Sequence, residues 1–178
     1  EDVKGDQGVT PSAGTTVPVP NDGFDILSLQ MAEPTDMPGK LVFTYKIAGL
    51  ANLVPNTAYI LRLSTDTAPT NGDEDYFVAM VVGPDAGASF VYGTDGFSAG
   101  LPAGEPRQFR TSGKLDAASN FKADGTISLV LDKSLIPGIE KGHTVGNILP
   151  SVRLITPGAV LPLPFFTNAA NETIFDDA

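Results

Sequence analysis

The 178-residue chain has no cysteine and no tryptophan, a single histidine, and 11 Lys and Arg against 21 Asp and Glu. Without cysteine there is no disulfide framework and no thiolate metal site. The formal net charge of -10 repels phosphate backbones and anionic lipid, so nucleic acid and membrane are excluded as expected partners. No run approaches the roughly 18 consecutive apolar residues of a membrane-spanning helix. His143 is the one imidazole, and neither a G-x-S-x-G elbow nor a cysteine nucleophile accompanies it, so nucleophilic catalysis has no motif here. No glycine loop follows a strand and opens a helix in the manner of a phosphate cradle. A non-catalytic protein is expected. The sequence opens on Glu1 rather than Met, from which a processed or excised piece is expected.

What is present is apolar and finely punctuated. Hydrophobic residues make up 42% of the chain while Gly (19) and Pro (15) are both frequent, which favours one core built from many short elements over long helices. Residues 1–23 hold Gly, Pro, Thr and Asp with few large apolar side chains and read as an extended leader packing on the domain formed by 24–178. From Phe24 onward apolar side chains recur every second residue: Leu27, Leu29 and Met31 in "FDILSLQMA", then Leu41, Phe43, Tyr45 and Ile47 in "KLVFTYKIAGL". That period of two is the signature of a half-buried strand. "EPTDMPG" between them predicts a hairpin connection. "TAYILRLST" places Tyr59, Leu61 and Leu63 on one face and Ala58, Ile60 and Arg62 on the other, and "YFVAMVV" reads as a central strand covered on both sides. "GPDAG" predicts a hairpin with "ASFVYG", and "NFKADGTISLVL" a second one around Asp124-Gly125. One short helical turn is expected in "DKSLIPGIEKG", and a late strand, "HTVGNILPSVRLIT", interrupted near Pro150. The final part, "PGAVLPLPFFTNAANETIFDDA", reads as an edge segment or a long packed loop, and Leu161, Leu163, Phe165 and Phe166 in it would be an exposed patch if the chain self-assembles. About eight to ten strands with turns between them predict an all-β, antiparallel β-sandwich, jelly-roll-like, with an extended N-terminal segment.

The order of "D-x-x-G-D" at the opening, "DI" at a strand start, "GKLVFTYKIAGL", "YFVAMV" with "FVYGT", "ADGTISLVL" and "KGHTVGNI" resembles a known family over roughly residues 2–155. It is similar to the β-sandwich domains, related to family 9 carbohydrate-binding modules and to DOMON domains, that are appended to secreted bacterial peptidases and other surface proteins. The resemblance implies a calcium site made by Asp2, Asp6 and Asp25, completed by carbonyls near Val3 and Gly5. Six to eight oxygen ligands from carboxylates and carbonyls suit Ca²⁺; solvated charges near a chain end are the plain alternative for Asp2 and Asp6. The resemblance also implies sugar binding, but such modules clamp rings between aromatic faces, typically tryptophans, and only Tyr45, Tyr59, Tyr76 and Tyr92 stand in for them. Some DOMON domains hold haem through Met and His. Here that would need His143 with Met31, Met37 or Met80 in one cavity.

Further acidic groups are the "NGDED" cluster, Asn71 to Asp75, read as a polar loop before the central strand, and Asp176 and Asp177, read as a disordered end. A long loop over roughly residues 93–108 has the length of a functional one; either Phe97, Arg107 and Phe109 contact a partner from it, or it folds back over one end of the sandwich. The expected function is a non-catalytic, calcium-stabilised extracellular or cell-surface module that assists or tethers a larger secreted protein, with that protein's neighbouring domains as partners. The alternative is a self-assembling subunit of a surface layer or extracellular filament, its partners identical copies. A weak carbohydrate-binding module, with polysaccharide as partner, comes third.

Overall fold

The computed structural model describes residues 22–67, 73–96, 108–155, 166–167 and 172–177. Among them are eleven strands: β1 (Ile26–Ala32), β2 (Lys40–Ile47), β3 (Thr57–Thr65), β4 (Asp73–Val82), β5 (Ala88–Gly96), β6 (Gln108–Lys114), β7 (Asn120–Phe121), β8 (Thr126–Asp132), β9 (Val145–Ile155), β10 (Phe166–Thr167) and β11 (Glu172–Asp177). They form a four-stranded sheet, β1-β2-β8-β7, and a seven-stranded sheet, β10-β6-β5-β4-β3-β9-β11. Every pairing is antiparallel. The predicted all-β sandwich is therefore the fold. β1 lies against β9 and β8 against β4, so the sheets stack face to face.

The period-two patterns decide which side chains meet between the sheets. Leu41, Phe43, Tyr45 and Ile47 of β2 and Ile127, Leu129 and Leu131 of β8 meet Tyr59, Leu61 and Leu63 of β3 and Val78, Met80 and Val82 of β4 in one buried core. The other face of β3 and β4 is also buried. Ala58, Ile60, Phe77, Ala79 and Val81 join Val91 of β5 and Phe109 of β6 in a second, smaller core. Within it Phe77 and Phe109 pack edge to face at 5.3 Å, and the Arg153 guanidinium of β9 sits 4.9 Å from the Phe109 ring centre. β9 and β6 are four strand spacings apart, about 19 Å in a flat sheet. Their contact means that the large sheet curls around its own far face, where Ala58, Ala79 and Gly93 leave room for close approach. A Cβ on Gly93 would overlap the Arg110 carbonyl and the Phe77 ring.

The predicted turns are found. "GPDAG" closes β4 and β5, and Gly125, with φ +91°, turns β7 into β8 while its carbonyl accepts from Ile47 N–H at 2.8 Å. The helical turn is a single 3₁₀ turn, Lys133–Leu135, whose Ser134 N–H donates to Asp132 Oδ1.

Four expectations are corrected. β9 continues through Pro150; among the described residues its pairing with β11 reaches only Ser151, so no described strand needs the N–H that Pro150 lacks. Residues 93–96 belong to β5, and Phe109 is core in β6 rather than a loop contact; Phe97 and Arg107 lie outside the described residues. β4 begins at Asp73, inside the acidic cluster read as a loop, and Asp176 and Asp177 are in β11. Asp22 and Gly23, assigned to the leader, form a 3₁₀ turn with Phe24 in which Gly23 and Phe24 are buried; residues 1–21 lie outside the described ones.

Candidate functional site

The sequence "DGFD" leads into β1, and its backbone is tied to two other parts of the chain. The Asp22 carbonyl accepts from Gly49 N–H at 3.2 Å and the Asp25 carbonyl from Ala48 N–H at 2.9 Å. From below, the Tyr59 hydroxyl donates to the Gly23 carbonyl at 2.8 Å in a buried hydrogen bond. Burial pushes the Tyr59 phenol well above its ordinary pKa, so it remains a donor at any physiological pH. Asp25 follows this turn and has 0% of its surface exposed. A carboxylate taken out of water needs hydrogen bonds or a cation around it to remain ionised, and its oxygens are the hard donors that calcium takes.

Of the three carboxylates predicted to converge, the structure thus describes one, Asp25, at the entry to β1. Asp2 and Asp6, with the carbonyls near Val3 and Gly5, lie outside the described residues. Among the described residues no three His, Cys, Asp or Glu side chains gather to hold a metal ion. Asp25 is compatible with calcium in donor type and in burial.

A second charged group escaped sequence reasoning. Asp95 of β5 is fully buried, and Arg62 of β3 brings Nη1 to 3.6 Å from its Oδ2 across β4. Asp75 stands opposite Asp95 in register, and Arg153 donates from Nε to Ser151 Oγ at 3.3 Å beside the second core. Acids and bases are interleaved on this face, which suits a structural network neutralised in place. The placement of Arg62 with Ala58 and Ile60 was legible from alternation, but its partner lay in the stretch read as loop.

The third feature is a groove of about 310 Å³ between β1 and the turn preceding β9. Met31, Leu41, Ile139 and Val145 line it with Glu33, Lys133 and His143. His143 Nδ1 is 2.8 Å from Asp66 Oδ1, and the Thr144 N–H donates to Asp66 Oδ2 at 3.3 Å. The hydrogen bond with His143 is the main cause holding the Asp66 carboxyl below its ordinary pKa. The groove brings Met31 and His143 together, whereas Met80 is buried in the core and Met37 sits in the β1–β2 connection. With Nδ1 engaged by Asp66 and charged Glu33, Lys133, Glu140 and Lys141 around an open rim, it lacks the apolar walls that enclose a porphyrin.

Tyr45, Tyr59 and Tyr76 are buried and Tyr92 packs against the main core, so the four tyrosines serve packing. No family model, curated protein or solved structure matches the chain.

Proposed function

We propose that the chain is a non-catalytic β-sandwich module, stabilised by calcium, that acts at the cell surface or outside the cell as an assisting or tethering unit of a larger secreted protein. The single observation carrying this reading is the fully buried Asp25 at the start of the first strand, the position that the resemblance assigns to a calcium ligand. Asp2, Asp6 and Asp25 would hold the ion. Calcium would supply the positive charge and the extra coordination that join the N-terminal segment to the sandwich. The other described features agree: side chains from both sheets build the cores, and Lys40 with Asp116 and Asp132, like Arg62 with Asp95, forms ion pairs suited to a scaffold. The buried tyrosines give a sugar-binding role no support.

Calorimetric titration of calcium into chelator-stripped protein tests this reading. One site is expected, lost in Asp25→Asn and weakened in Asp6→Ala, with the strand-rich circular dichroism spectrum retained in both. An absence of binding heat at every calcium concentration, or equal binding by all three proteins, would remove the site and with it the calcium-dependent role.

A further inference from the structure

We propose that Asp66 and His143 form an acid-released latch on the 310 Å³ groove. While Asp66 is ionised, the pair holds the exposed loop 140–144 as one wall; protonation of Asp66 frees that wall and opens the apolar floor of the groove. The latch stands where a ladder ends. β3 and β9 pair as far as Thr65 and Val145, and one residue further on the Asp66 N–H still donates to the Thr144 carbonyl at 3.2 Å. The Asp66 side chain then takes over from the backbone: its Oδ2 accepts from the Thr144 N–H at 3.3 Å, and its Oδ1 lies 2.8 Å from His143 Nδ1.

The two halves of segment 136–144 are fastened differently. Ile136 and Ile139 are buried in the main core, Thr65 Oγ1 donates to the Pro137 carbonyl at 2.9 Å, and a Cβ on Gly138 would overlap the Thr65 and Thr67 hydroxyls. Residues 140–144 are exposed. Among the described residues their hydrogen bonds are those with Asp66 and one within the loop, from the His143 N–H to the Glu140 carbonyl. An exposed loop tied at one point can open while the core stays folded. Opening uncovers Leu41 and Ile139, now 4% and 5% exposed, beside Met31. The other charges at the groove are Glu140 and Lys141, on the loop itself, and Glu33 and Lys133 opposite, which pair with each other at 2.8 Å. The bond with His143 first, and then that from the Thr144 N–H, hold the Asp66 carboxyl below its ordinary 3.8. These contacts therefore contribute fully above that value and are lost as pH falls below it. A protonated ring only strengthens its bond to the carboxylate, so acid releases the latch through Asp66. None of this depends on the calcium site.

The test is amide exchange, corrected for intrinsic rates, in the natural protein and in Asp66→Asn. Protection at His143 and Thr144 should fall about fivefold between about pH 6 and about pH 3 in the natural protein, while Leu61 and Leu63 in β3 keep theirs. Asp66→Asn should show the lower protection already at about pH 6, with no further loss in acid. Peroxide oxidation read by mass spectrometry reports access to the groove: Met31 should oxidise faster in Asp66→Asn, and the buried Met80 should stay intact in both proteins. Full protection in Asp66→Asn, equal acid losses in the two proteins, loss at Leu61 and Leu63 together with the loop, or equal Met31 oxidation would each overturn the proposal. Should Asp66→Asn fail to fold, His143→Ala, at an exposed position, takes its place, with the same loss of protection expected and unaltered protection overturning the latch.

Discussion

Lys40 is shared by two carboxylates, with Nζ 2.9 Å from Asp132 Oδ2 and 3.0 Å from Asp116 Oδ2. These bonds connect the start of β2 to the end of β8 and to the turn after β6. The hydrogen bond to Lys40, and then those from Ser134, push the Asp132 carboxyl down to about 2. Asp116 is lowered first by the Ala118 N–H and then by Lys40. A carboxyl whose folded pKa lies below its unfolded one stabilises the fold above the unfolded value of 3.8 and loses that contribution as pH falls toward 2. The thermal midpoint should therefore drop between about pH 4 and pH 2, and Lys40→Met should flatten the drop. Parallel curves for the two proteins would show that the lysine is not its source. All three groups face solvent, so added salt should shrink the difference. At Tyr59 the prediction is larger: Tyr59→Phe removes a buried donor from the Gly23 carbonyl and should cost about 1–3 kcal/mol in urea unfolding. The burial of Tyr59 was legible from the alternation of "TAYILRLST". Its bond to Gly23 was not, because that contact depends on how the chain crosses from the leader into β1.

At the scale of elements, strands and tight turns were legible because their signals are local. Period-two patterns gave β1 to β3, a continuous apolar run gave β4, and Gly-bearing turns gave the three predicted hairpins. Where the sequence misled, a neighbour decided. Pro150 reads as a break, but β9 continues through it, paired with Leu61 of β3 and, among the described residues, past the reach of β11. "GTDG" reads as loop, yet it is held as strand β5 between β4 and β6, because Gly93 allows Phe77 and the β6 backbone to approach. Gly93→Ala should therefore destabilise the protein by roughly 1–3 kcal/mol, the usual range for overpacking, with denaturant midpoints as the measure. A neutral outcome would mean that the curl of the large sheet is less tightly fixed than the contact of Arg153 with Phe109 implies.

On the scale of the whole molecule, two buried cores share one curled sheet, and Asp25 lies buried at the entry to its first strand. The fold class was legible because it rests on the total of strand and turn signals. The candidate site was legible only as a resemblance, since carboxylates separated along the chain declare no common ion until a fold places them. The described residues place Asp25 in the interior at the expected strand start. The most direct measurement is the thermal unfolding midpoint in excess calcium and then in excess chelator. A ligand bound only by the native state must raise stability, by about 2.7 kcal/mol at a hundredfold excess over its dissociation constant. The account predicts a midpoint several degrees higher with calcium in the natural protein, and no difference in Asp25→Asn. The same midpoint in calcium and in chelator for the natural protein would contradict it.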